Sequence, residues 1–490
     1  MRCFEPSLWQ SGGSSIADVR LDPDSRDDIP QLLLGLQYLY MDPALRAQVL
    51  QLLDEMIPEE IDRNTGRPGM VLWRILVMGV LRLNLNWDYD RLCEMVNQHQ
   101  TIRQVLGHGG TDDGVRYHVQ TLKDNVSLLT PEISDRINQI VVSAGHQLEK
   151  KESDEAEVLK GRCDSFVVET QVHYPTDINL LWDAVRTLIV RCGRVSGRHG
   201  LSGWRPWRYN LRQVKRLFRW VQKSKHATAS DEPKRAQQAQ KVRTAYGEYL
   251  ALAASLVARA EETLTPLAAG EAEGVEREEI ECFVGHAHRP IDQIERRVLQ
   301  GEKIPHEEKV FSLFEPHTEW ISKGKAGVPV ELGLNVCILE DHYGYFLHHR
   351  VMQGETDETV AVPMVKETQR RFPALKQCRF DGGFYTPANQ EDLRELLDVS
   401  VLPQKGRLSP EEEAFESSDL FVAARYQHAA VESAINALEV HGLDRCPDHG
   451  LDGFQCYVAL AILARNIQQL GAHLKKKKGP VATRRRKKAA

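Results

Sequence analysis

The spacing of the apolar residues changes three times along the chain, and these changes constrain the fold more than any other feature. Residues 31–150 show helical spacing, 161–170 form a β-rich run, and helical spacing returns from 177 to about 301. After residue 306, strand and helix patterns alternate, which predicts a mixed sheet flanked by helices. Because loop closure costs little extra entropy as a loop grows, a helical domain at 178–305 can be inserted into this α/β layer.

The chain therefore divides into five predicted segments. They are a flexible arm at 1–30, a helical N-terminal domain at 31–150, an α/β core at 158–177 and 306–472, an all-helical basic insertion at 178–305 and a disordered basic tail at 473–490. In the core we expect strands at 161–170, 309–314, 330–339, 345–352, 377–380 and 399–403. We expect core helices at 357–372, 389–397, 422–440 and 454–470. The N-terminal helices predict either a DNA-binding helix-turn-helix or a scaffold.

The charges are segregated along the chain, which the net value of −6 conceals. The stretch from Lys475 to Lys488 holds nine Lys or Arg, so the rest of the chain is near −15 (−6 − 9). Residues 186–243 hold sixteen Lys or Arg against Asp231 and Glu232, a pattern typical of nucleic-acid binders. No apolar run is long enough for a membrane helix, and nine cysteines without a CxxC pair suit a reducing cytoplasm.

Aromatic and basic side chains alternate within the insertion. Arginines on phosphates and aromatic rings on bases are how proteins hold unpaired nucleic-acid strands. Four of the basic residues follow i, i+3, i+4, i+7 spacing and predict one stripe on a helix. We therefore expect DNA contacts from Trp204, Arg205, Trp207, Arg208, Arg212, Lys215, Arg216 and Arg219. The alternative is that the tryptophans belong to a core and the arginines to a solvated face.

Three acidic residues lie at special positions of the predicted core. Asp164 lies in the first strand, Asp381 follows a later strand and precedes two glycines, and Glu432 lies in a helix. Carboxylates without a set of His or Cys ligands suit a hard cation such as Mg²⁺. Two such ions can activate a nucleophile and stabilise the leaving oxygen of a phosphodiester. From spacing alone, the same acids are also compatible with helix caps or solvated charges.

Two further acids near Asp164 are expected to be structural. Glu169 lies five positions later on the same strand, so it faces the opposite side. Asp177 precedes the helical insertion and is expected to cap its first helix.

The sequence around the three core acids resembles the motifs of insertion-sequence DDE transposases. Residues 164–177, Asp-Ser-Phe-Val-Val-Glu-Thr-Gln-Val-His-Tyr-Pro-Thr-Asp, resemble the first-aspartate motif, and the likeness continues through 180–186. Residues 381–385, Asp-Gly-Gly-Phe-Tyr, resemble the second-aspartate motif, and 428–445 resemble the closing motif of the ISNCY-type group. Residues 66–68, Gly-Arg-Pro, with the leucine-rich helices that follow, are similar to the helical entry domain of these transposases.

The resemblance covers about residues 60–470 and implies an RNase H-like catalytic core in which Asp164, Asp381 and Glu432 hold two Mg²⁺ or Mn²⁺ ions. It implies a transposase that hydrolyses phosphodiester bonds at the element's ends and transfers the freed 3′-hydroxyls to target DNA. Its partners would be double-stranded DNA and a second copy of the chain, and its location the nucleoid in the cytoplasm. The closing motif lacks a clear Tyr-x-x-Arg before its glutamate, and Glu439, two helical turns after Glu432, is the rival third acid. Two alternatives stay open: a nuclease with the same core but without strand transfer, and an inactive DNA-binding regulator.

Overall fold

The structure is a computed structural model that describes residues 15–22, 24–57, 69–108, 114–150, 158–226, 231–265, 271–305, 308–322, 329–406, 408 and 410–478. Its contacts divide the chain into two compact units. The first unit is Met1–Gln171 with Ile321–Ala490, and the second is Val172–Trp320. The second unit contains the predicted insertion at 178–305 and extends it at both ends.

Seven α-helices precede the sheet in the described part of the first unit. They are α1 (Asp28–Met41), α2 (Pro43–Asp54), α3 (Leu72–Asn84), α4 (Tyr89–Gln98), α5 (Gln100–Val105), α6 (Val119–Val126) and α7 (Pro131–Glu149). Side-chain caps fix where several of them begin. Asp42 caps α2 ahead of Pro43, and Thr130 caps α7 ahead of Pro131. A proline at the first helical position loses no helical hydrogen bond, so both pairs are strong start signals.

These helices share one hydrophobic core with the sheet and with α17 (Gly450–Lys478). α1 and α17 lie so close together that a Cβ on Gly35 would be 2.1 Å from the Ile467 carbonyl oxygen. Asn466 of α17 donates a hydrogen bond to the Phe346 carbonyl at 2.8 Å, which ties this helix to the sheet. The described helices of the predicted N-terminal domain at 31–150 therefore share their core with the C-terminal helix and with the sheet.

The described residues contain seven strands, which form one mixed sheet. They are β1 (Leu159–Thr170), β2 (Glu319–Ser322), β3 (Val330–Asp341), β4 (Phe346–Val351), β5 (Leu375–Arg379), β6 (Val399–Val401) and β7 (Arg445–Cys446). The order is β2-β3-β1-β5-β6, with β4 paired to β3 and β7 paired to β1. β3 is antiparallel to β1 and β4, whereas β5 is parallel to β1 and to β6. The mixed sheet is as predicted, but the strand predicted at 309–314 is wrong, since no strand forms there.

Five further helices complete the described part of the first unit. They are α12 (Asp357–Arg371), α13 (Pro387–Leu396), α14 (Pro410–Glu416), α15 (Asp419–His428) and α16 (Ala430–Leu438). The single helix predicted at 422–440 is thus two helices separated at Ala429, followed by a π-helical turn at Glu439–Leu443.

The ends of the chain differ in part from the prediction. α17 continues to Lys478, so residues 473–478 of the predicted disordered tail are helical. The rest of that tail, residues 1–14 of the predicted arm and the Gly-Arg-Pro motif at 66–68 lie outside the described residues. In the part of the chain that the structure describes, no helix is both long and apolar enough to cross a membrane.

Four long helices make up most of the second unit: α8 (Asp177–His199), α9 (Trp207–His226), α10 (Glu232–Leu264) and α11 (Glu271–Ile294). Their apolar faces form a core within this unit. Between 178 and 305 the described residues form helices and no strand, as the sequence predicts. The cap of α8 is Thr176 and not the predicted Asp177, because the Thr176 hydroxyl accepts the hydrogen bond from the Asn179 N–H. Asp177 is the first helical residue and pairs with Arg297 at 2.7 Å.

Candidate active site

The register of two parallel strands brings Asp164 and Asp381 to one level of the sheet. Arg162 on β1 is aligned with Arg379, the last residue of β5. Asp164 and Asp381 each lie two residues further along, and side chains two positions apart on a strand share a face. Asp381 thus follows a strand end, while Asp164 lies within β1, which continues to Thr170.

Both aspartates line an open cleft with a volume of about 850 Å³. α16 and the turn after it supply another part of the wall, where Glu432, Asn436 and Glu439 follow i, i+4, i+7 spacing. The structure therefore brings together three acids from a strand, a strand end and a helix that are far apart in sequence. The two candidates for the third acid both line this cleft.

The charges around Asp164 are mostly of the same sign. Burial raises the pKa of Asp164 from 3.8 to about 7, although the Ser165 N–H, which donates to the carboxylate at 2.8 Å, lowers it. The negative charges of Asp381, Glu432 and Asp357 raise this pKa further. Glu432 is one of these charges, so its carboxylate acts on Asp164 from the third element of the cleft.

Gly383, the second of the two glycines after Asp381, lets the Asp381 carboxylate lie against the backbone. Asp381 caps the 3-10 turn at Gly382–Phe384 and accepts a hydrogen bond from the Gly383 N–H at 2.7 Å. A Cβ on Gly383 would lie 2.7 Å from Asp381 Oδ1 and 3.0 Å from Asp357 Oδ2. Any side chain at this position would displace a carboxylate, so the close approach of the two acids requires glycine.

A fourth carboxylate, Asp357, lies beside Asp381, and sequence reasoning missed it. Its Oδ1 is buried and has no hydrogen-bond partner among the described residues. Burial raises the pKa of Asp357, the hydrogen bond from the Ser165 side chain lowers it, and the charge of Asp381 raises it. The only signal in the sequence is an acid at the start of α12, and acids are common there because they complement the helix dipole.

Two side chains of α15, His428 and Arg425, line the cleft. The His428 Nε2–H donates to the Cys163 carbonyl of β1 at 3.1 Å. Burial lowers the pKa of His428 below its ordinary value, although the Cys163 carbonyl and the charge of Asp381 raise it. Arg425, one turn earlier, is a charged donor in the wall, which suits an anionic substrate.

The donor chemistry of the cleft fits a hard divalent cation, although its carboxylates are not gathered around one point. Among the residues that the structure describes, no three His, Cys, Asp or Glu side chains are arranged to hold a metal ion. The raised pKa of Asp164 and the unpartnered Oδ1 of Asp357 nevertheless mark an excess of negative charge that a cation would neutralise. The carboxylate side chains would therefore have to close on the ion as it binds.

The tryptophans predicted to contact DNA do not lie on an open surface. Trp204 is 1% exposed, and its Nε1–H donates to Thr263 Oγ1 at 2.7 Å. It is a core side chain with no free ring face, so the expectation that it stacks on a base has to be corrected. Trp207 is half-buried and packs against the same core. The exposed aromatic side chains of α9 are instead Tyr209 and Trp220, which are 54% and 36% exposed.

The six basic residues predicted to contact DNA are all exposed. We call them the α9 basic surface: Arg205, Arg208, Arg212, Lys215, Arg216 and Arg219. The last four lie on α9 at the predicted spacing, and none of the six forms an ion pair with a described residue. Unpaired exposed cations in one stripe keep their charge available for phosphates.

Glu169 contrasts with the three acids of the cleft. It pairs with Arg445 of β7 and does not line the cleft, in keeping with the structural role expected for it.

Comparison of the chain with protein-family models, curated proteins and solved structures gives no match. A functional proposal therefore rests on the geometry of the cleft, on the α9 basic surface and on the sequence resemblance.

Proposed function

We propose that this chain is the transposase of an insertion sequence, which cuts and joins DNA strands at an RNase H-like core. The observation that carries the proposal is that Asp164, Asp381 and Glu432, selected from three separate motifs, line one cleft. The sheet supports the choice of core, since antiparallel β4, β3 and β1 are continued by parallel β5 and β6.

The three acids would hold two Mg²⁺ or Mn²⁺ ions, which supply an activated water or 3′-hydroxyl and stabilise the leaving oxygen of the phosphodiester. The chain orients these acids through its backbone: the Ser165 N–H holds Asp164, and the Gly383 N–H holds Asp381. Arg425 offers the cleft a guanidinium that suits the phosphate of a bound strand.

The α9 basic surface supports DNA as the substrate. Six exposed cations that form no ion pair with a described residue suit the phosphates of a duplex, and Tyr209 and Trp220 add exposed ring faces for unpaired bases at an opened end. Joining two element ends to one target requires two active sites, so we propose a homodimer on the DNA, acting at the nucleoid in the cytoplasm.

The test compares cleavage with binding in two nearly isosteric variants. Asp164→Asn or Asp381→Asn should lower the cleavage of DNA that carries the element's ends by about 10³-fold or more, because each removes a metal ligand. Neither should change the affinity measured by gel shift, because neither removes a cation that binds phosphate. Glu169→Gln is the matched control, since it changes an acid on the same strand outside the cleft, and it should cleave normally. Equal loss of binding and cleavage in the two Asp variants would contradict the proposal.

A second arm separates the transposase from the two alternatives. With pre-cut ends that carry a free 3′-hydroxyl, a transposase gives joined products, whereas a nuclease with the same core gives none. An inactive regulator would bind the ends without any cleavage that depends on a divalent metal. Glu432→Gln and Glu439→Gln, measured side by side, identify the third acid as the one whose loss abolishes cleavage.

A further inference from the structure

A second pocket, with a volume of about 540 Å³, lies between β5, β6, α13 and α15. α15 lines both this pocket and the cleft: Gln427 lines the pocket, and His428 lines the cleft. Arg379 of β5 lines the pocket two residues before Asp381, which lines the cleft. The pocket is therefore a close neighbour of the proposed catalytic acids, although it shares no lining residue with their cleft.

Arg379 is a buried cation that has no acidic partner among the described residues. It is only 8% exposed, its Nε is buried without a hydrogen-bond partner, and it forms no ion pair with a described residue. A similarly buried guanidinium elsewhere in the first unit is paired, since Arg82, 4% exposed, makes two hydrogen bonds to Asp448 at 2.9 and 2.6 Å. An unpaired buried charge destabilises a fold unless an opposite charge compensates it, so Arg379 points to an anion that binds in this pocket.

The rest of the lining narrows the class of anion. Arg394 adds a second cation, exposed at the rim, and it too lacks an ion pair among the described residues. Leu397, Val401 and Phe421 add an apolar wall, and one exposed carboxylate, Asp398, also lines the pocket. Two guanidinium groups suit a phosphate, because the planar fork of each matches two phosphate oxygens. An aromatic and aliphatic wall beside them suits the sugar or base of a nucleotide.

We infer that this pocket binds a phosphate group carried on a nucleotide, with Arg379 and Arg394 on the phosphate and Phe421 against the sugar or base. One source is the DNA strand whose neighbouring phosphate lies in the cleft, and in that case the inference rests on the proposed function. The other source of the same chemistry is a free nucleotide. The pocket is large enough for either, since small-molecule sites in proteins start at about 300 Å³.

The experiment measures binding without cleavage. In a chelator, the affinities of the full chain for a short labelled single strand and for thymidine 5′-monophosphate are compared in the wild type and in Arg379→Met, which keeps the apolar length and removes the charge. Loss of a charged hydrogen bond to phosphate should weaken binding by about 10- to 100-fold. Lys376→Gln is the matched control, because Lys376 is an exposed cation on β5 that does not line the pocket, and its affinities should stay as in the wild type.

Two further measurements keep the result interpretable. Arg379→Met should melt at the same temperature as the wild type or higher, because it removes an uncompensated buried charge. Arg394→Gln changes an exposed rim residue and should also weaken binding, so it decides the matter if Arg379→Met does not fold. If Arg379→Met folds, unchanged affinity for both ligands in this variant would overturn the inference. If it does not fold, unchanged affinity for both ligands in Arg394→Gln would overturn it.

The two ligands separate the two sources. If only the affinity for the single strand falls, the pocket holds a nucleotide of the DNA strand, and if only the affinity for the monophosphate falls, it holds a free nucleotide. Failure here would leave metal-dependent cleavage by the wild type intact. Failure of the proposed function would instead appear as wild-type protein that cleaves no DNA, or as cleavage that survives Asp164→Asn.

Discussion

Replacing Asp164 by asparagine should stabilise the metal-free protein at pH 8 and leave its stability at pH 4 unchanged. Burial, and then the like charges of Asp381, Glu432 and Asp357, raise the pKa of Asp164 from 3.8 to about 7 in the folded state. The folded protein therefore holds this proton more tightly than the unfolded chain does. The resulting loss of stability is absent below pH 4, grows as the pH rises, and is complete above pH 7.

The magnitude follows from the size of the shift. One pKa unit is about 1.4 kcal/mol. A shift from 3.8 to about 7 therefore lowers the free energy of unfolding above pH 7 by at most about 4 kcal/mol. Solvent at the open cleft screens part of this, and we expect a gain of about 2–4 kcal/mol for Asp164→Asn at pH 8. Asparagine is nearly isosteric with the protonated acid, so the two proteins should be equally stable at pH 4.

The assay is urea unfolding of both proteins at pH 4 and pH 8 in a chelator, followed by far-UV circular dichroism. Addition of Mg²⁺ at pH 8 should stabilise the wild type and not Asp164→Asn, because only the wild type keeps the full set of acids. Glu169→Gln is the control and should show no gain at pH 8, since it only removes an ion pair. A difference between Asp164→Asn and the wild type that does not change with pH would refute the charge reasoning.

Three further predictions concern other parts of the chain. Replacing Arg212, Lys215 and Arg216 together by alanine should reduce the slope of log affinity against log salt concentration by about three units in DNA-binding titrations. An unchanged slope would show that the α9 basic surface is exposed to solvent and does not contact DNA. Gly383→Ala should lower the rate of cleavage while the melting temperature stays close to that of the wild type, because its Cβ would displace a carboxylate of the site. A large fall in the melting temperature would point to a folding defect instead. Arg82→Met should lower the free energy of unfolding in urea by about 3 kcal/mol, because it leaves a carboxylate unpaired, and an unchanged value would show that the pair is neutral.

Elements with strong local signals could be predicted from the sequence. The sequence predicts a strand at 161–170, and β1 lies at Leu159–Thr170; it predicts a helix at 357–372, and α12 lies at Asp357–Arg371. Their signals, a β-branched run and helical spacing, are contained within the elements themselves. The segment at 309–314 shows the limit of this reasoning, because its apolar residues include Leu313, which packs in the core of the second unit without forming a strand.

Long-range packing could not be predicted. The N-terminal helices bury their faces against α17 near the other end of the chain, and close contacts such as the one at Gly35 leave no trace in local periodicity. The prediction that Trp204 contacts DNA is wrong for the same reason, since only the fold shows that its indole N–H donates to Thr263 of α10. Asp357 was missed because an acid at a helix start has an ordinary local explanation, and its approach to Asp381 depends on the register of the folded sheet.

Two features of the first unit are not compensated by the side chains that the structure describes, and they are opposite in sign and close together in the fold. Like charges collect around Asp164, whereas Arg379, two residues before Asp381, is a buried cation with no ion pair among the described residues. A fold shaped by stability alone would pair these groups with each other or replace them, because each costs free energy in the empty protein. A divalent cation would compensate the acids, and a nucleic-acid strand would bring phosphates both to that cation and to Arg379. One class of ligand, a metal-bound DNA strand, would therefore neutralise both sites at once, which neither a cation nor a free nucleotide alone would do.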